Sequence, residues 1–428
     1  MSIKYHKFDK IIKSNIQRLC ITLNLLVHDK SMFKMLFIIM IKIINSEPSK
    51  ILVCLGTCSE LIKFAPVIKE LGNREIDLVV VNLGRHDGLQ RTLFEQLDIH
   101  VHHHLETMRF GQSVDALGSR LLDRLDPVLE SEKPDLVLVQ GDTASAVLAS
   151  LAAGKRGIPV GHLDAVPNTG NPLSPLLEKM QRRQAGRFAG RHFVVTESDR
   201  RILMDEGCSA DSIHVVGNTA VDALRQTLAS KGPSKTVKQL QQWAEGRRLV
   251  LLSTHGHENL GETMSPHLRA LREYIEGQPD LCLVFPVHKN SAVCAAATAE
   301  LGGHPRIRMT DPLEYCDFTQ LLSVAWLIVS DSGDIHEEAT TLGIPMIVLR
   351  EGSECSEGVD CGGARFVGGY PKRLSEMLQA VLIDEVWHAS ACRAREVSGD
   401  GHAAERICDL LLGTRNTRYV PKPLRLAA

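Results

Sequence analysis

The chain has 428 residues, long enough for roughly two or three domains. Its 44% apolar and 23% charged residues suit a globular protein, and 49 basic against 51 acidic residues leave a net charge of −2, which offers no positive field to collect nucleic acid. Eleven cysteines, odd in number and without a Cys-x-x-Cys pair, argue against a secreted disulfide framework and for a reducing, cytoplasmic setting.

Residues 1–49 are rich in Ile and Lys and read as a poorly ordered extension. The apolar run Met35–Ile41, between Lys34 and Lys42, is too short to span a bilayer, so no integral membrane segment is expected. No small-residue cleavage site follows it, which disfavours a signal peptide. From Lys50 onward, short β-branched apolar runs alternate with stretches of helical length, the pattern of βαβ units on a parallel sheet. Strands are predicted at 51–55, 76–84, 135–141, 158–164, 191–196 and 213–217. The Lys/Gly/Pro/Ser-rich stretch 230–236 reads as a linker, after which strands are predicted at 248–255, 281–288, 307–311, 326–333, 344–350 and 364–369. The expected fold class is α/β, with two Rossmann-like doubly wound domains, 50–229 and 230–403, facing a central cleft.

Ligands of open α/β sheets bind past the carboxyl ends of the strands, so polar groups there are the candidates. GTCSELIKFAP (56–66) is a Gly-Thr turn opening a helix that carries Lys63 on its second turn. Asp142 follows the third predicted strand where a helix N-cap would sit, Asp164 ends the fourth, and Glu178 stands at the start of a further helix. Each has a structural explanation alone, but three carboxylates along one sheet edge repel unless a ligand or a reaction uses them. In the second half, His255 and His288 end strands. The stretch SDSGDIHEE (330–338) runs a strand into Ser332-Gly333 and a helix, a turn suited to phosphate, with Glu338 placed to accept from a ribose diol. The contiguous His102, His103 and His104 cannot converge on one ion, because adjacent strand residues face opposite ways, and Cys355 and Cys361 lack a partner pair; no metal site is expected.

The segments GTCSELIKFAPVIKEL, LVLVQGDTASAVLASLAAGKRGIPVGHLDA, FPVHKN, WLIVSDSGDIHEEATTLGIP and SGDGHAAERI resemble, in order and spacing, the non-hydrolysing bacterial UDP-N-acetylglucosamine 2-epimerases over residues 51 to about 412. The resemblance implies a glycosyltransferase-B type fold whose last helix, within 404–428, returns to the first domain. It also implies a cofactor-free homodimer that eliminates UDP to a 2-acetamidoglucal and adds it back, supplying a precursor for surface polysaccharide. Asp142, Asp164 and Glu178 then occupy the catalytic carboxylate positions, and one of them needs a raised pKa to carry a proton. His255 matches the histidine at the diphosphate, and Lys63 a basic residue near it. His288, Phe318, Ser332, Gly333 and Glu338 match contacts to the UDP-sugar.

The chain departs from this pattern in several places. Cys58-Ser59 replaces Arg-Pro, Asp164 replaces Glu, and Lys179 follows Glu178 in place of a second acid. Asn168, Gly256, His257 and Cys355 replace arginines, and Asp334 replaces a glycine of the phosphate turn. Lost cations and an added acid weaken diphosphate binding. Three readings stay open at this level: a UDP-sugar 2-epimerase, a hydrolysing relative that releases free sugar, and a non-catalytic member that binds a nucleotide-sugar or a protein.

Overall fold

Lys50–Leu55 (β1) reads KILVCL, apolar on both faces, as a parallel strand covered by helices on both sides requires. Its sheet also holds Asp77–Asn82 (β2), His103–His104 (β3), Leu136–Gln140 (β4), Val160–Leu163 (β5), Arg191–Val194 (β6) and Ile213–Val215 (β7). Every pairing is parallel and the order is β3-β2-β1-β4-β5-β6-β7. The second sheet holds Arg248–Ser253 (β8), Leu281–Pro286 (β9), Ile307–Thr310 (β10), Leu327–Ser330 (β11), Met346–Val348 (β12) and Ala364–Phe366 (β13). It is also wholly parallel, in the order β10-β9-β8-β11-β12-β13. In both sheets the strand order reverses beside the first strand, so a crevice opens past the ends of β1 and β4 and another past β8 and β11.

This computed structural model describes residues 48–84, 88–109, 111–165, 185–230, 232–254, 264–349, 362–393 and 399–413. The expected extension up to residue 47 lies outside them, as do Glu178, His255 and the substituted positions Asn168, Lys179, Gly256, His257 and Cys355.

The two doubly wound units expected from the alternating pattern are present. The strands are shorter than predicted at their carboxyl ends: β5 stops at Leu163 and β11 at Ser330, leaving Asp164 and Ser332 in the loops beyond, with Gly333 already the start of a helix. One strand was not predicted. The edge strand β3 is two histidines paired with Val81 and Asn82, a composition without the apolar signature of the others. The neighbouring histidines turn to separate partners: His102 Nδ1, just before the strand, accepts from the Val80 amide at 3.1 Å, and His103 Nε2 lies 2.8 Å from Glu132.

Six helices place the site: Cys58–Asn73 (α1), Ala144–Lys155 (α2), Thr219–Ser230 (α3), Tyr315–Leu322 (α4), Gly333–Leu342 (α5) and Ala403–Leu411 (α6). Each sheet has a core on both faces. Ile51, Val53 and Leu55 pack on one side of β1, Leu52 and Cys54 on the other; Val250 and Leu252 oppose Leu249 and Leu251 in the same way on β8. Full burial of such a side chain stabilises by about 1.5–3 kcal/mol. Ile407, Cys408 and Leu411 of α6 join the core of the first sheet, where Asp222 accepts from the Ala404 amide at 2.9 Å and Arg74 pairs with Asp409 at 2.6 Å. The predicted linker is short: α3 runs to Ser230, Gly232 and Pro233 are outside regular structure, and the Ser234 hydroxyl caps the helix Lys235–Ala244.

Candidate active site

The turn from β1 into α1 is fixed by sterics and by a buried acid. A Cβ at Gly56 would stand 2.3 Å from Ser145 Oγ on α2, so only glycine lets the two switch-point turns approach. Thr57 caps α1 by accepting from the Glu60 amide at 3.2 Å, and the Gly56 amide donates to Glu60 Oε2 at 2.6 Å. Glu60 is buried; desolvation pushes its carboxyl up to about 7, against the Thr143 and Gly56 hydrogen bonds.

The strand-end carboxylates come next. The cap of α2 is Thr143, whose hydroxyl accepts from the Ala146 amide at 3.1 Å; Asp142 precedes it and is not the cap expected from sequence. Gly141, at φ +72, turns the chain between β4 and Asp142. That turn is stitched to β5 by the Gly141 amide donating to Leu163 O at 3.0 Å and by His162 Nε2, 2.7 Å from Gly141 O. Asp164, one residue past β5, has φ +50, in the left-handed region that side chains other than glycine seldom occupy. Its Oδ2 receives Lys63 Nζ at 2.7 Å and Gln140 Nε2 at 3.1 Å. Burial works to raise this carboxyl, but the charge and hydrogen bond of Lys63, then Gln140, outweigh it and hold Asp164 below the usual carboxylate range. Asp164 is therefore the ionised partner of this pair.

Lys63, expected near a diphosphate, pairs with two acids in this structure. Its ammonium also stands 3.2 Å from the Glu337 carboxylate on α5, in the second half of the chain. Burial disfavours its charge, but Asp164, Glu337 and Asp334 together keep Lys63 protonated, well above the ordinary lysine value. One turn toward the start of both helices, Ser59 Oγ donates to Asp334 Oδ1 at 3.1 Å. Two substitutions in the family pattern, at 59 and 334, thus meet each other.

Next to this contact lies a cavity of about 270 Å³ between α1 and the strand ends of the second sheet. Cys58, Ser59 and Ile62 line it from α1; Ser253 and Pro286 line it from β8 and β9. Of the predicted ligand contacts, His288, Phe318, Ser332 and Glu338 are on its wall, and Gly333 opens the helix behind Ser332. Asp142, Asp164 and Lys63 do not line it; Asp164 is reached through Lys63, four residues along α1 from Ser59, or about 6 Å of helix. His288 Nδ1 accepts from the Asn290 amide at 3.2 Å, so its neutral ring carries the proton on Nε2. The Ser332 side chain makes no cap bond, leaving the first-turn amides of α5 without a side-chain acceptor from their cap. Glu338 is 7% exposed; burial first, then the Asp334 charge, pushes it up to about 8, against the Tyr315 hydroxyl.

Glu337, Gln140, His162, Glu60 and Tyr315 were not singled out from sequence. The available signal was helical spacing: Asp334, Glu337 and Glu338 stand at i, i+3 and i+4, so they share a face of α5, as Ser59 and Lys63 share one of α1. No three groups able to hold a metal ion come together among the described residues.

Comparison with known proteins follows the same geography. The sequence pattern of the family described as UDP-N-acetylglucosamine 2-epimerase matches residues 69–412. The UDP-N-acetylglucosamine 2-epimerase of Bacillus subtilis (strain 168) is 36% identical over 364 residues, spanning 85% of this chain and 95% of the relative. That of Escherichia coli (strain K12) is 34% identical over 372 residues, spanning 86% and 99%. Among solved structures, the Neisseria meningitidis UDP-GlcNAc 2-epimerase bound to UDP-GlcNAc superposes with a TM-score of 0.77 at 32% identity, over 85% of this chain and 100% of that one. A glycotransferase of kitacinnamycin, at 16% identity and a TM-score of 0.60, shares the fold alone. The two-sheet arrangement is thus of the glycosyltransferase-B type.

Proposed function

Because the chain belongs to the UDP-N-acetylglucosamine 2-epimerase family, we propose that it interconverts UDP-N-acetylglucosamine and UDP-N-acetylmannosamine by elimination and re-addition of UDP. A base removes the C2 proton, the electron pair forms the C1–C2 double bond, and the C1–O bond to UDP breaks. Protonation of C2 from the opposite face and attack of the UDP oxygen on C1 complete the exchange. The observation that carries this reading is that Asp142 and Asp164 follow adjacent strands of one sheet, with Asp164 joined through Lys63 to α1, whose first turn lines a cavity walled by the strand ends of the other sheet. Asp164, held ionised by Lys63, suits a base or an electrostatic stabiliser, and Asp142 or Glu178 suits the proton donor. His255 and His288 serve the diphosphate, Phe318 the base, and Glu338 the ribose. The same reading has the domains 50–229 and 230–403 close on the ligand, and has the protein a cytoplasmic homodimer that needs no cofactor and supplies a surface-polysaccharide precursor. Light scattering of the purified protein reads the dimer directly. No helix among the described residues is long and apolar enough to cross a membrane.

The test is a proton NMR time course with UDP-N-acetylglucosamine in deuterated buffer, for the wild type and Asp142→Asn. Deuterium at C2 with UDP-N-acetylmannosamine appearing, abolished in the variant, is the expected result. Free N-acetylmannosamine plus UDP would replace epimerisation by hydrolysis. No exchange over hours at high protein concentration would sink catalysis on this substrate.

A further inference from the structure

Helices α1 and α5 come from opposite halves of the chain, yet their contacts advance in step: Ser59 meets Asp334, and one turn later Lys63 meets Glu337. Stepping in the same direction along both helices requires that their amino ends lie together. Each such end carries roughly half a positive charge, although at α1 Thr57 already takes the Glu60 amide. Two converging on one cavity wall make an arrangement suited to an anion. Here a side chain already stands there. Asp334 lies in the first turn of α5 with its Oδ1 3.1 Å from the Ser59 hydroxyl in the first turn of α1, and both residues line the cavity. The described lining residues include Glu314, Asp334 and Glu338 but no lysine or arginine.

We propose that Asp334, tethered by Ser59, is an affinity-setting residue that competes from within the protein for the place of the ligand's diphosphate, so that this cleft holds UDP weakly. The inference rests on the reading of the cavity as a UDP-sugar site and names the residue that tunes it. A negative carboxylate between the two helix ends offsets their field and repels the phosphates, while leaving contacts to the uridine unchanged. Without the Ser59 hydroxyl the carboxylate is free to swing toward water, so the pair acts as a unit.

The experiment is calorimetric titration of UDP, with uridine as the neutral control, into the full-length protein and its Asp334→Asn, Asp334→Gly, Ser59→Ala and Ser59→Ala/Asp334→Gly variants. Asp334→Asn removes only the charge; it is expected to tighten UDP by about tenfold at low salt, with the gain shrinking as ionic strength rises. Uridine affinity should not move, which separates repulsion of phosphate from a change in cavity shape. Ser59→Ala should tighten UDP in the wild-type background and do nothing beside Asp334→Gly. Equal UDP affinity for the wild type and Asp334→Asn overturns the proposal and leaves the nucleotide site standing. Weaker UDP binding on Ser59→Ala in both backgrounds overturns it as well, because the hydroxyl would then be a ligand contact. Failure of every protein to bind UDP or uridine removes the nucleotide reading of the cavity, and the proposal with it.

Discussion

A carbonyl oxygen only accepts, so the 2.7 Å contact between His162 Nε2 and Gly141 O places a proton on Nε2. The ring is fully buried, and the carbonyl that it holds belongs to the glycine at φ +72 that turns the chain into Asp142. Two residues along the same strand end, Asp164 is fixed by Gln140 and Lys63. His162 is thus a positioning residue for the Asp142 turn, and about 1 Å of drift in such a turn costs catalysis about a hundredfold. Replacing His162 by Gln keeps a donor at a similar reach; replacing it by Phe keeps the ring and loses the donor. On UDP-N-acetylglucosamine, His162→Phe is expected to lower kcat by about tenfold or more with KM little changed, and His162→Gln to recover most of it. Equal losses in both variants, or a loss in KM alone, would assign His162 to packing only.

At the scale of elements, the α1–α5 contact is one joint between the halves, beside the packing of α3 on α4 and α5, and Lys63 is its one cation among the described contacts. Its side chain is 8% exposed, against 29% for Asp164 and 14% for Glu337. Lys63→Met strands two partly buried carboxylates against each other, a change expected to cost about 3 kcal/mol in urea unfolding. Adding Glu337→Gln should return a good part of that, since it removes one of the two stranded charges. A Lys63→Met protein as stable as the wild type would show that the joint opens readily and that water replaces the ammonium. This joint was not legible in the sequence, because its partners are 274 residues apart and no local pattern links them. The strands were legible for the opposite reason: ILVCL or LIVS, buried on both faces, has to be apolar without interruption. β3 escaped because an edge strand of two histidines carries no such run. Asp164 stands out as a carboxylate after a strand, while its ionised state depends on Lys63, which only the family resemblance places near the ligand.

For the whole molecule, buried titratable groups set how stability depends on pH. His192 is buried and its pKa is lowered from 6.5 to about 4, by desolvation first and then by His162. The unfolded chain therefore binds more protons than the native one between these values, and stability rises with pH up to about 6.5. Glu60 and Glu338 act in the other direction. Desolvation raises them from 4.5 to about 7 and about 8, so the native protein keeps protons that the unfolded chain has lost. Their contribution is complete below pH 4.5 and disappears as pH rises through 7 and 8. From pH 6.5 to 8 the loss from the two carboxyls exceeds the remaining gain from His192, so these three groups are expected to lower the unfolding free energy by about 2 kcal/mol. Glu338→Gln should be more stable than the wild type at pH 8 and should flatten most of this slope in urea titrations at the two pH values. The slope also reports on the shape of the molecule, because Glu338 is buried only while α5, α4 and the cavity wall stay together. A flat profile, with Glu338→Gln matching the wild type at both pH values, would mean that water reaches that carboxyl and that the halves stand open in the absence of ligand.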